Sequence, residues 1–152
     1  LGSYWGYFRN RNSIMNMDHA YNEYSSHLVL GILYKQSVVE EDEKTIFQID
    51  ELDAIHSVIE KFIFFVQPKW KIASDKPGSG NTRNIGGIAS ISKLLAGQGT
   101  FEPFGEDVFD DYWMGYFNKA DAQKAGIGSP HYYNLKTYKQ YVDNKSQISK
   151  KL

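Results

Sequence analysis

The amino-acid sequence predicts an α+β fold: a helix-rich single domain with a small β-hairpin or short antiparallel sheet. Three observations carry that expectation. Apolar residues recur at spacings of three and four in several stretches, which is the helical period. Residues 37–49, SVVEEDEKTIFQI, set β-branched and aromatic residues on both sides of a charged centre, as a hairpin does, although an Asn-Gly or Asp-Gly turn is missing. Short extended pieces surround Trp5 and Trp70. With 152 residues, 41% of them hydrophobic and spread along the whole length, residues 4–152 are expected to form one globular domain around one core. Leu1-Gly2-Ser3 reads as a vector-derived scar, and the remainder as a domain cut from a longer protein.

Taken in order, Tyr4, Trp5, Tyr7 and Phe8 around Gly6 suggest a strand or aromatic arm, followed by a loop with Arg9 and Arg11 among asparagines. From Ser13 the period changes. Ala20, Tyr21, Tyr24, Leu28, Gly31 and Ile32 fall on one side of a helix capped by Ser13 or Asn16 and running to about Gln36. Its second half, LVLGILY, is apolar all round and is expected to be buried. Leu52, Ile55, Val58, Ile59, Phe62, Ile63 and Val66 then mark a second helix from an Asp50 cap to about Phe65, with a strand over KFIFFV as the competing reading. Pro68 stops that element, PKWKIA is extended, and a long polar loop follows. SISKLLAG suggests a short helix ended by Gly97. Residues Glu106 to Phe117 place Val108, Phe109, Tyr112, Trp113, Tyr116 and Phe117 on a dense aromatic helix face. NKADAQKAG is a short helix ended by Gly126, Pro130 marks a turn, LKTYKQYVDNK is helical, and SQISKKL is expected to fray.

Several function classes are excluded or demoted. Cysteine is absent, which removes disulfides, thiolate zinc sites and a cysteine nucleophile. The longest strongly apolar run, near Phe62 to Val66, falls far short of the roughly 20 residues that span a bilayer. With no signal-peptide pattern either, the reading is a cytoplasmic protein without a membrane partner. The net charge of −1 hides blocks of −7 over residues 37–60, +5 over 61–100, −5 over 101–117 and +5 over 118–152. Convergent basic blocks would meet phosphates; neutralisation by the acidic blocks is ranked ahead of that.

The polar run IASDKPGSGNTRNIGG, Ile72 to Gly87, holds the candidate site. Its glycine spacing fits neither the phosphate-binding G-x-x-x-x-G-K-[ST] loop nor the dinucleotide G-x-G-x-x-G turn. What remains is a loop rich in backbone amides, with Lys69, Lys71, Lys76 and Arg83 close in sequence and Trp70 among them. These are the ingredients of a phosphate-contacting finger with a stacking aromatic. Arg9 and Arg11 are further candidate phosphate contacts. The plainer reading, a solvated connection with Trp70 anchored in the core, is ranked ahead for the loop itself.

Other constellations are weaker. His19, Glu23 and His27 at four-residue spacing would spread along about 12 Å of a helix, too far to share one ion. A nuclease centre needs an acid and an acid-x-lysine pair. The nearest imitation, Asp50 or Asp53 with Gln67-Pro68-Lys69, has glutamine where the acid belongs. Glu106, Asp107, Asp110 and Asp111 read as the solvated side of the aromatic helix. No cofactor or metal is assigned. Three functions are ranked in order: a nucleic-acid-binding module that reads bases within a larger DNA-processing or defence protein, a protein-interaction domain with an aromatic patch, and a metal-dependent nuclease or other hydrolase. An enzyme is not the favoured reading.

Overall fold

The computed structural model describes residues 19–20, 23–37, 44–78 and 84–149, and its mixture of helices with two small sheets is the expected α+β class. The arm around Trp5, the caps at Ser13 and Asn16, and the EEDE centre of the expected hairpin lie outside those residues. The chain divides into two compact units, one of Leu1–Leu28 with Gln67–Leu152 and one of Val29–Val66.

The smaller unit corrects both long helices. Strands β1 (Leu28–Gln36) and β2 (Ile59–Pro68) pair as a two-stranded sheet, where helices to Gln36 and Phe65 were expected. In β1 the part-buried Val29, Gly31 and Leu33 alternate with the exposed Leu28, Leu30, Ile32 and Tyr34, a period of two. A run that is apolar on every side has no period to read, so pairing with an equally apolar neighbour decides its state. Gly31 contributes to that decision: it weakens a helix by about 1 kcal/mol relative to alanine, whereas in the sheet it lies under the Phe65 ring, which leaves no room for a Cβ. The competing strand reading of KFIFFV is the right one, in keeping with its aromatic and β-branched content. Among the described residues of this unit only Ile49–Ala54 is helical, as a 3₁₀ turn entered at Gln48, whose N–H donates to Glu51 Oε2 at 2.9 Å.

The larger unit follows the expected order more closely. PKWKIA proves to be one helical turn, α1 (Lys69–Ile72), leading into strand β3 (Ala73–Pro77). Strand β4 (Ile85–Gly87) returns antiparallel to it, so the polar loop is a hairpin tip. Helix α2 (Ile91–Ala96) is capped by Ser90, whose Oγ accepts from the Lys93 N–H, and ends at Gly97 in the left-handed region with φ 65°. Helix α3 (Glu106–Gly115) is the acidic and aromatic one, α4 (Lys119–Lys124) is capped by Asn118, and α5 (Leu135–Ser149) continues three residues past the point where fraying was expected to begin.

The core is aromatic. Tyr112 and Trp113 of α3 are fully buried, and the Tyr112 ring lies 5.1 Å from Trp113, 5.1 Å from Tyr132, 5.3 Å from Phe101 and 5.4 Å from Tyr138. The edge-on geometries with Trp113 and Tyr138 set ring edges against ring faces, which is the favourable arrangement for aromatic quadrupoles. Two hydroxyls are satisfied inside this cluster: Tyr132 donates to the Tyr112 carbonyl at 2.7 Å, and Tyr112 donates to the Asp75 carbonyl at 2.6 Å. Burial pushes the pKa of both phenols well above the ordinary tyrosine value, so both remain donors. Tyr112→Phe leaves the Asp75 carbonyl without this donor and is expected to cost about 1–3 kcal/mol, while Tyr112→Ala should cost about 3–5 kcal/mol. Urea unfolding measures both. A Tyr112→Phe midpoint no lower than that of the exposed control Tyr133→Phe would remove the stabilising role assigned to this bond.

Candidate nucleic-acid interface

The β3–β4 hairpin is braced along both of its strands. Ala73 pairs with Gly87 and Pro77 with Ile85, so β3 carries two more residues than β4 between these pairs and bulges. Ser74 absorbs the irregularity: its Oγ accepts from the Lys76 N–H at 3.1 Å and donates to the Lys76 carbonyl at 3.0 Å, serving backbone groups at the bulge. The loop closes where the Gly78 N–H donates to the Asn84 carbonyl at 2.8 Å. At Gly86 a Cβ would collide with the Lys76 carbonyl and lie 2.9 Å from Ser74 Oγ, so only glycine lets the arms approach.

Both arms are anchored. Asp75 on the incoming arm accepts the Tyr112 hydroxyl at its carbonyl, and its Oδ2 accepts the Leu135 N–H at the start of α5, at 2.9 Å. A carboxylate at a helix N-terminus also meets the positive end of the helix dipole. On the outgoing arm, Ile85 is 1% exposed and belongs to the core cluster. Both arms of the hairpin are thus carried on the aromatic core.

The candidate cations separate on inspection. Lys76 is exposed at the end of β3, beside the loop. Trp70 is half-buried against the core cluster, and Lys71 Nζ lies 5.3 Å from the centre of its ring. Lys69 is only 4% exposed and donates to the Ile85 carbonyl at 3.3 Å, so its ammonium is turned inward. Arg9, Arg11 and Arg83 lie outside the described residues. Sequence reasoning passed over Asp75, because a single aspartate inside a polar run carries no signal that it caps a helix 60 residues away.

The metal-binding alternatives are not supported where they can be seen. Residues 24–27 are not helical, and His19 Nδ1 lies 3.4 Å from Glu23 Oε2 as an exposed pair. Gln67, in the place an acid would take, donates from Nε2 to the Leu95 carbonyl at 2.8 Å, and Lys69 is engaged as above. These residues do not fit a metal-holding acid-x-lysine pair. Among the described residues no group of three or more His, Asp or Glu side chains is placed to hold a metal ion, and no helix is long and apolar enough to cross a membrane.

Comparison with known proteins now gives the class: the chain belongs to the restriction endonuclease EcoRV family, whose sequence profile matches residues 1–143. A particular relative is the type II restriction enzyme EcoRV of Escherichia coli, 31% identical over 143 residues, which are 93% of this chain and 55% of that enzyme. The chain therefore spans about half the length of the curated relative it matches. The relation to DNA ranked first in the sequence agrees with this family, and the nuclease relation ranked third belongs to it by name.

His27 provides a pH test of the ground beneath the hairpin. Its carbonyl accepts the Lys69 N–H at 2.8 Å, and burial followed by the neighbouring Lys69 charge pulls the imidazole pKa down from 6.5 to about 4. Between these values the unfolded chain binds the proton that the folded chain refuses, so His27 makes stability fall as pH drops from about 6.5 towards about 4. The urea midpoint should follow that slope, and His27→Gln should flatten it. An equally steep slope in the variant would assign the effect to other groups.

Proposed function

We propose that this chain is a DNA-contacting part of an EcoRV-type restriction endonuclease, with the loop between Gly78 and Asn84 as its reading element. The observation that carries the proposal is the exposed Lys76 at the foot of a hairpin tip whose two arms are anchored in a rigid aromatic core. Family membership supplies DNA as the partner. A net charge of −1 is compatible with this, because the cations required are local: Lys71 and Lys76 precede the loop in sequence and Arg83 belongs to it, and a few phosphate contacts fix register without a basic protein overall. Asn81, Thr82 and Asn84 carry donors and acceptors of the kind that bond base edges, and this supports base reading by the same loop. Arg9 and Arg11 are additional phosphate contacts in this reading, Trp70 is a wall of the site, and a cytoplasmic location goes with it.

Strand cleavage is proposed for the longer EcoRV-type protein, supported by the name of the relative and by the engagement of Gln67 and Lys69 with backbone carbonyls. The second-ranked reading, a protein-interaction surface, is supported by different residues: Leu30, Ile32 and Tyr34 of β1 and Phe62, Phe64 and Val66 of β2, all exposed.

Titration of a fluorescent duplex at two salt concentrations tests the DNA reading. Lys76→Ala combined with Arg83→Ala should weaken binding at least tenfold and lower the slope of log affinity against log salt by about 0.9 for each phosphate contact removed. Added magnesium should leave the duplex uncut by the 152-residue chain. Unchanged affinity in the double variant, or no binding by the unaltered chain at low salt, would remove the loop as a DNA contact. Cleavage by the chain would place the hydrolytic residues within it.

A further inference from the structure

We propose that Lys69 is a positioning residue for β4, the strand that leaves the candidate loop, which it holds through the Ile85 carbonyl; its effect on DNA affinity rests on that loop being the DNA contact. The sequence groups Lys69 with the phosphate-contacting cations, yet its side chain is 4% exposed and its ammonium meets backbone. Ile85 needs such a donor. The Gly78–Asn84 hydrogen bond makes these two residues a bonded pair of the antiparallel ladder, so the adjacent pair, Pro77 and Ile85, occupies the non-bonded position. There the Ile85 carbonyl points away from β3, and proline has no N–H to offer. Lys69 Nζ supplies the donor from α1, 16 residues earlier, and the Lys69 N–H itself is fixed to the His27 carbonyl. The incoming arm is tied by Asp75 to α3 and α5, while Lys69 ties the outgoing arm, so the two ends of the loop are set by separate contacts.

Lys69→Met keeps the length of the side chain and removes its donors. Amide hydrogen exchange should speed up at least tenfold across residues 84–88 while α3 stays as protected as before. Duplex affinity should fall about tenfold with the salt slope unchanged, since no phosphate contact is lost. Lys69→Arg, which keeps a donor, should stay within about twofold of the unaltered chain in exchange over 84–88. The proposal fails if exchange at 84–88 is unchanged in Lys69→Met, if Lys69→Arg loosens that strand equally, or if α3 loses protection together with it. It also fails if the salt slope falls by about 0.9, because Lys69 would then be a phosphate contact. Faster exchange confined to 84–88, in a chain whose unaltered form binds no duplex, sinks the DNA reading and leaves the positioning role standing.

Discussion

The hydroxyl of Tyr112 on the Asp75 carbonyl is the contact on which the rest of the larger unit depends. It is made from the centre of the aromatic cluster, where Tyr112 meets Phe101, Trp113, Tyr132 and Tyr138, and it ends on the strand that carries the candidate interface. A buried donor whose acceptor is a strand carbonyl fixes position as well as energy, because a slip of β3 would leave both groups unpaired inside the protein. The same aspartate closes the N-terminus of α5, so one residue relates strand, α3 and α5 to each other. Helix α5 is then held at its start by Asp75 and by burial of Leu135 and Tyr138, while most of its last three turns are exposed.

In the proposed DNA reading, this arrangement suits a surface that meets a stiff polymer. Duplex DNA presents phosphates at fixed spacing, so cations on a wandering loop would lose ordering entropy with each contact. Here Lys76 stands on a strand that the core already holds. β3 and β4 are too short to stand alone as a hairpin, and isolated two-stranded hairpins are marginal in water. Their persistence is explained by Ala73 and Ile85 entering the aromatic cluster and by backbone bonds from outside the pair, such as the Thr100 N–H to the Ala73 carbonyl at 3.0 Å.

Legibility in the sequence follows the range over which each element is determined. Helices α2 to α4 were readable because their signals are local: Gly97 and Gly126 as stops, and the aromatic stripe of Glu106 to Phe117 at helical spacing. β1 and β2 were misread because uniformly apolar runs take their state from a partner strand, about 30 residues away in this chain. β3 and β4 left almost no trace, since ASDKP and IGG are too short to alternate and their pairing rests on Ser74 and on the absence of a Cβ at Gly86. The candidate loop was legible as a polar, cationic, glycine-containing stretch, but its standing as a hairpin tip was not.

The lysines show why. Lys69 and Lys76 are seven residues apart, both beside turn-forming residues, and nothing in the local sequence distinguishes an ammonium that meets solvent from one that meets a carbonyl. The difference arises one residue before each. Pro68 ends β2 and starts the turn that aims Lys69 inward beneath Ile85, whereas Asp75 points its carboxylate at α5 and the alternation of the strand then sends Lys76 outward. Burial lowers the pKa of Lys69, which is the electrostatic mark of its desolvation, and the donation to Ile85 partly offsets that cost. A charge that is costly to bury persists where its geometry has a use. In this hairpin the buried lysine meets a carbonyl of the stem, and the exposed one is, in the proposed reading, the cation available to a phosphate.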